Sequence, residues 1–263
     1  MNTNISNDLI IAVNKPIGWT SFDVVAFSRK KLGIKKIGHC GTLDPLATGL
    51  LLLATNKATK QIESLQILSK TYTATFCLGA TTDTIDTEFW PLDFQDTSHI
   101  SSKQIQAVIS KNFLGKFMQI PPQYSAVSIK GKKAYKFARQ GVDIVIPERE
   151  VRIYEFKINN LKIILPTDLP YQASSLAHYK RNPNLLVEQI VLENQKSVRM
   201  ITFEAQITCS KGTYIRSLIS DLARELGTIG YMLALKRTAI GNYLLSDAID
   251  CTDIGLLDLV VKN

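Results

Sequence analysis

Helix-like and strand-like hydrophobic periods alternate along this chain without the regular strand-helix-strand rhythm of a parallel sheet, and that irregularity restricts the fold more than any other feature. In the stretch from Lys70 to Gly79, Tyr72, Ala74, Phe76 and Leu78 alternate with Thr71, Thr73 and Thr75, the period-two pattern of a half-buried strand. Further strands are expected over residues 9–13, 49–54, 123–129, 151–164, 198–209 and 229–240. A helix is expected from about Ser21, burying Phe22, Val25, Ala26 and Leu32 and stopping at Gly33, and another from near Asn56. Helical spacing recurs over 101–113, with Ile105, Val108, Ile109 and Phe113 inward. It returns over 213–226, where Ile215, Leu218, Ile219, Leu222 and Leu226 form one stripe ended by Gly227. No fixed-period repeat is visible. The expected fold class is therefore α+β, with a largely antiparallel mixed central sheet flanked by helices and loops; a doubly wound parallel sheet is the weaker alternative.

With 263 residues, 45% of them hydrophobic, the chain can bury one sizeable core, and a disordered protein is excluded. Lys and Arg total 31 against 23 acidic residues, and the resulting charge of +8 favours a polyanionic partner. Cys40, Cys77, Cys209 and Cys251 lie far apart with only three histidines in the chain, so no metal site is expected. The N-terminal stretch lacks a basic segment followed by an apolar run, and the longest aliphatic run, residues 50–54, is too short to span a bilayer. A reducing, cytoplasmic location without membrane contact is expected.

The stretch richest in chemical information is GHCGTLDPLATG, residues 38–49, where glycines bracket an Asp-Pro pair just before an apolar strand. Pro45 biases Asp44 away from the helical region, so the carboxylate can project from an extended loop. An Asp-Pro pair alone usually marks a structural turn, but the whole string is far more particular. It resembles the signature of the TruB family of tRNA pseudouridine-55 synthases, which reads G-H-x-G-x-L-D-P-x-A-T-G around the catalytic aspartate. Other blocks agree in order: NKPIGWTS at 14–21, KTYT at 70–73, LGATTDTID at 78–86, PPQYSAVSIKGKKAYKFARQG at 121–141 and CSKGTYIR at 209–216. Together they span about 9–247.

The resemblance implies a pseudouridine-synthase fold and conversion of uridine to its C-glycoside isomer: the N1–C1′ bond breaks, the uracil turns while held, and C5 bonds to C1′. Substrate and product have the same composition, so no cofactor is expected. The protein must supply a nucleophile or charge stabiliser, a proton route and a pocket for the detached base. Asp44 is the expected catalytic carboxylate, whether it acts at C1′, at C6 or through a glycal. Arg216, the arginine of G-T-Y-I-R, is expected to hold its charge. Tyr72 matches the aromatic residue that stacks on the target base, and its hydroxyl is available for proton transfer. Tyr214 and Leu235 correspond to further residues of the uridine pocket, although either is equally readable as core. His39 matches the histidine that fills the space left by the flipped nucleotide, offsetting part of the few kcal/mol of lost stacking.

Lys130, Lys132, Lys133, Lys136 and Arg139 alternate with Tyr135 and Phe137, where the family carries a thumb-like segment (about 120–150) that closes on the T arm of tRNA. Lys35, Lys36, Arg149, Arg152, Lys236 and Arg237 are expected to extend this phosphate-facing field. Residues 165–197, with Pro166, Pro170, Pro183 and the stretch HYKRNPN, interrupt the strand pattern and read as an insertion, a surface loop or an RNA contact. The expected organisation is a catalytic domain over 1–250 and a short tail over 251–263. No separate PUA-like RNA-binding domain is expected, in contrast to many bacterial members. The protein is expected to work as a monomer without a protein partner. The competing readings are a tRNA chaperone acting on the T arm without chemistry, a related synthase working in a guide-RNA particle and, more remotely, a two-carboxylate glycoside hydrolase.

Overall fold

The computed structural model describes residues 8–91, 93–129, 131–169 and 197–256; Lys130, most of the expected insertion and the end of the expected tail lie outside the described residues. The described strands are β1 (Ile10–Lys15), β2 (Ile37–His39), β3 (Thr48–Thr55), β4 (Lys70–Leu78), β5 (Ala80–Thr81), β6 (Asp93–Phe94), β7 (Gly115–Gln119), β8 (Ser128–Ile129), β9 (Lys132–Lys133), β10 (Arg149–Ile164), β11 (Met200–Cys209), β12 (Gly230–Ile240), β13 (Tyr243–Leu244) and β14 (Ile249–Asp250). The described α-helices are α1 (Ser21–Leu32), α2 (Ile62–Ile67), α3 (Ser102–Val108), α4 (Ala134–Ala138) and α5 (Ile215–Glu225). The chain forms two compact units, one of Met1–Thr73 with Leu235–Asn263 and one of Ala74–Ala234, so β4 and β12 contribute to both.

The first unit is built around β3. Its sequence TGLLLLAT shows no alternation because both faces are buried. Leu51 and Leu53 pack with Val13, Val24, Val25 and Ile37, while Leu50 and Leu52 pack with Ala58, Leu65 and Ile240. Each such leucine stabilises the fold by roughly 2 kcal/mol. The strand order here is β14-β1-β3-β12. β1 runs antiparallel to β3 from Ile10↔Ala54 to Lys15↔Gly49, β2 is also antiparallel to it, and β12 is parallel at Lys236↔Thr48 and Arg237↔Gly49.

Helix α1 starts where its cap is strongest: Thr20 Oγ1 accepts from the Asp23 amide at 3.0 Å and the Asp23 carboxylate accepts from the Thr20 amide at 2.8 Å, a reciprocal box. Its buried face differs from the expected one. Ser21, Val24, Val25 and Ser28 point inward, whereas Phe22 is 61% exposed and Ala26 is exposed. The helix turns two hydroxyls inward because each has a partner: Ser21 at the Leu43 backbone and Ser28 at the Val24 carbonyl. A count of apolar residues does not register satisfied serines.

In the second unit the order is β12-β4-β11-β10-β7. β10 and β11 pair antiparallel from Ile153↔Cys209 to Ile164↔Met200, with register shifts between Ile153 and Glu155 and between Asn159 and Lys162. Phe76 of β4 meets Phe203 edge-on at 5.6 Å, and α5 buries the expected Ile215, Leu218, Ile219 and Leu222. The strand expected over 123–129 does not form as such: an unexpected strand, β7, ends before it at Gln119, Pro121 and Pro122 cannot donate to a ladder, and only Ser128 and Ile129 pair, in a hairpin with β9. The helix expected over 101–113 is α3 followed by a π turn at Ile109–Phe113, and the one near Asn56 is a 3-10 segment leading into α2. Both units are α+β, and their described pairings are mixed with antiparallel ones predominating.

Gly49 has φ +98°, and a Cβ there would stand 2.3 Å from the Arg237 carbonyl oxygen. Gly33 has φ +65° but open space around a Cβ. Gly33→Ala is expected to cost roughly 1 kcal/mol, whereas Gly49→Ala, which adds a backbone clash to the same kind of strain, should cost at least about 3 kcal/mol in urea unfolding. Equal losses would contradict this register.

Candidate active site

The loop between β2 and β3 carries Asp44 half-buried in the first unit. Its backbone is tied at nearly every step. The Cys40 amide donates to the Leu52 carbonyl at 2.8 Å; the Leu43 amide donates to Ser21 Oγ at 2.8 Å, which in turn donates to the Leu43 carbonyl at 3.2 Å. The Asp44 carbonyl accepts from the Ala47 amide at 3.0 Å, and the Pro45 carbonyl from the Gly18 amide at 2.8 Å. Loop carbonyls this close to a core need partners, and two buried cations supply the remainder.

Lys15 is fully buried at the end of β1. Its ammonium donates to the carbonyls of Trp19 at 2.6 Å, Pro16 at 2.9 Å and Pro45 at 3.2 Å. Burial pushes its pKa down to about 8; the Asp44 charge pulls it back up and Arg237 pushes it further down. Arg237, expected with Lys236 in the phosphate-facing field, is instead 1% exposed. Its Nε donates to the Leu50 carbonyl at 2.7 Å, Nη2 to Gly41 at 3.2 Å and Nη1 to Thr42 at 3.5 Å. Strand phase explains the correction: Leu233, Leu235 and Arg237 point inward on β12 while Ala234 and Lys236 point out. The same phase, Ile11 and Val13 leading to Lys15, marks the other cation. Continuing each alternation by one residue would have found both.

Three other expected residues lie in this unit. His39 ends β2; burial first and Arg237 second hold its imidazole below the ordinary histidine range, and its buried Nδ1 has no hydrogen-bond partner among the described residues. Tyr72 is buried on β4, next to Thr71, whose carbonyl accepts from Thr238 Oγ1 at 3.2 Å. Leu235 is buried on β12, and its carbonyl accepts from Thr48 Oγ1 at 3.5 Å. Cys40 is inert as a nucleophile, since burial pushes its thiol up to about 11.

Arg216 and Tyr214 belong to the second unit. Arg216 is 4% exposed; Nη1 donates to the Thr84 carbonyl and Nη2 to the Tyr124 carbonyl, both at 2.9 Å. Its Nε lies 3.6 Å from the Asp86 carboxylate, which also accepts from Thr84 Oγ1 at 2.6 Å and the Glu88 amide at 3.0 Å. Between them Ile85 has φ 59°, a left-handed conformation that costs a β-branched residue roughly 1–3 kcal/mol. The bonds on either side of it, with the Ile85 carbonyl accepting from the Met232 amide at 3.1 Å, hold it there. Asp86 was visible in the sequence only as part of the LGATTDTID block. Tyr214 is half-buried at the start of α5; its amide donates to Gln119 Oε1 at 2.8 Å, and Arg149 lies 5.7 Å from its ring centre.

Of the basic residues, Lys133, Lys136 and Arg139 are exposed and Lys132 half-buried, around the β8–β9 hairpin and α4. Lys132 stands 4.5 Å over the Phe137 ring and Arg139 5.6 Å over Tyr135; Arg139 also reaches Glu88 at 3.4 Å. Among the described residues no three His, Cys, Asp or Glu side chains gather as a metal site.

Residues 29–167 match the family described as TruB family pseudouridylate synthase (N terminal domain). A tRNA pseudouridine synthase B of Chloroherpeton thalassium is 42% identical over 260 residues, covering 96% of this chain and 90% of that protein. One of Chlorobaculum tepidum is 40% identical, with 90% and 85% covered. Among solved structures, a chain of a Cbf5-Nop10-Gar1 complex superposes with a TM-score of 0.58 at 24% identity; it covers 97% of this chain, which spans only 55% of its length. That likeness speaks for the fold alone. The chain belongs to the TruB family of pseudouridylate synthases. It is an isomerase with the α+β fold of that class.

Lys15 supplies a pH test. Because its folded pKa of about 8 lies below the unfolded 10.5, the unfolded chain binds more protons between these values and stability gained from this group rises with pH across that window. The difference in unfolding free energy between wild type and Lys15→Met should therefore grow from pH 8 to 10 and be flat below pH 7. A flat difference throughout would contradict the burial of a charged ammonium.

Proposed function

We propose that the chain isomerises uridine 55 in the T loop of tRNA to pseudouridine, with Asp44 as the catalytic carboxylate. The observation that carries this reading is the Asp44 loop itself: a half-buried carboxylate on a backbone braced from both ends. The names of its relatives support tRNA as substrate, and so do the charge of +8 and the exposed cations among aromatic rings around α4, which suit phosphate contacts and base stacking. Asp44 acts at the nucleoside while the glycosidic bond breaks, and the released uracil turns before C5 bonds to C1′. The family resemblance gives Tyr72 the roles of stacking on the base and mediating proton transfer, Tyr214 and Leu235 that of contacting the uracil, and Arg216 that of supporting the catalytic charge. His39, whose Nδ1 has no hydrogen-bond partner among the described residues, occupies the gap left by the flipped nucleotide. Among the described residues no helix is long and apolar enough to cross a membrane. Our reading is of a cytoplasmic enzyme that acts on tRNA as a monomer without a protein partner or cofactor.

Mapping pseudouridine in an unmodified tRNA transcript tests this directly. Wild type should modify the T-loop uridine; Asp44→Asn should lower the rate at least about a thousandfold while tRNA affinity stays within a few fold. An Asp44→Asn protein that still modifies the RNA would refute the assignment. Modification at a different uridine would refute the target. An RNA-remodelling chaperone would keep its action on the T arm in the Asp44→Asn protein.

A further inference from the structure

Both ends of the Asp44 loop converge on one buried side chain. The Arg237 guanidinium accounts for the carbonyls of Gly41 and Thr42 before Asp44 and of Leu50 after it, and its backbone lies beside Gly49 in the parallel register of β12 and β3. No carboxylate forms an ion pair with it among the described residues. A guanidinium buried without a counter-ion is costly. An apolar side chain of similar volume would avoid that cost but would leave these three carbonyls without a donor, so the position calls for a side chain with several donors. What an arginine adds is a rigid planar fork of donors that can hold carbonyls on two chain segments at a set separation. Ser21 provides a second hold at the middle of the loop, bonded to both the amide and the carbonyl of Leu43, the residue before Asp44.

We propose that Arg237 is a positioning residue for the isomerisation, with Ser21 as its partner: the guanidinium clasps the backbone on either side of Asp44, at Gly41 and Thr42 in the loop and at Leu50 in β3, the hydroxyl fixes Leu43 between them, and together they set where the Asp44 carboxylate stands against the nucleoside. This rests on the reading of Asp44 as the catalytic carboxylate. Arg237 touches no reacting atom in this account; it acts through the loop. The consequence is a division of effects. Substrate affinity comes from surfaces elsewhere and is insensitive to the clasp, whereas the rate of the bound complex depends on it, because a displacement of about 1 Å at a reacting group costs roughly a hundredfold.

The test uses the full chain as Arg237→Lys, Arg237→Gln, Ser21→Ala and Asp44→Asn. The readouts are the far-ultraviolet dichroism spectrum, the dissociation constant for a tRNA transcript, and single-turnover release of tritium from tRNA carrying 5-tritiated uridine, since C5 loses its proton when it bonds to C1′. Both Arg237 variants are expected to keep the wild-type spectrum and a dissociation constant within about threefold, with a single-turnover rate lowered about a hundredfold. Arg237→Lys keeps the charge but not the fork, so a wild-type rate in that variant would overturn the proposal, as would a loss of affinity equal to the loss of rate. If neither Arg237 variant folds, Ser21→Ala decides: a rate lowered about tenfold at unchanged affinity supports the clasp, and an unchanged rate overturns it. Asp44→Asn separates the two levels. If it retains the wild-type rate, the catalytic reading and the proposal fall together; if it is inactive while Arg237→Lys is fully active, only the positioning role fails.

Discussion

The backbone of the Asp44 loop is held by buried cations that grip carbonyl oxygens, and the first unit is organised around that grip. Lys15, at the end of β1, and Arg237, within β12, belong to strands flanking β3 on opposite sides, each in phase with apolar residues that fix its strand. Loop carbonyls buried away from water must find donors, and a charged donor makes a stronger bond than a neutral one. The four buried leucines of β3 supply the rigid floor to which this arrangement is anchored. Stability and the presentation of a single carboxylate thus come from the same packing.

A similar device recurs in the second unit with a different cation. Arg216 holds the carbonyls of Thr84 and Tyr124 and faces Asp86, joining the turn after β5 to the segment that leads into the β8–β9 hairpin. The left-handed conformation of Ile85 is tolerated because bonds on either side over-determine it. In both units an arginine organises irregular backbone, which regular secondary structure cannot do.

Much of this was legible in the sequence, for identifiable reasons. Alternation over 70–78 and the stripe on α5 expose their burial directly, because each has one wet and one dry face. The GHCGTLDPLATG string located the loop and its carboxylate. Two of the misses share a cause, polar groups satisfied inside the protein. Ser21 and Ser28 turned the buried face of α1 away from Phe22, and Arg237 was read as surface because a charged residue in a basic chain defaults to solvent. The strand expected over 123–129 follows directly on Pro121 and Pro122 and forms only at Ser128 and Ile129, and the π turn after α3 leaves no mark in hydrophobic spacing. Lys130 and most of the 165–197 segment fall outside the described residues.

The central claim is that the Asp44 carboxylate meets an extruded uridine at the sugar or the base. A crystal structure of the protein with a T-arm stem-loop RNA tests it most directly. The account predicts the target nucleotide out of the stack with an Asp44 oxygen within about 3.5 Å of C1′ or C6. A target nucleotide left stacked, or one seated with Asp44 out of reach of both carbons, would contradict it.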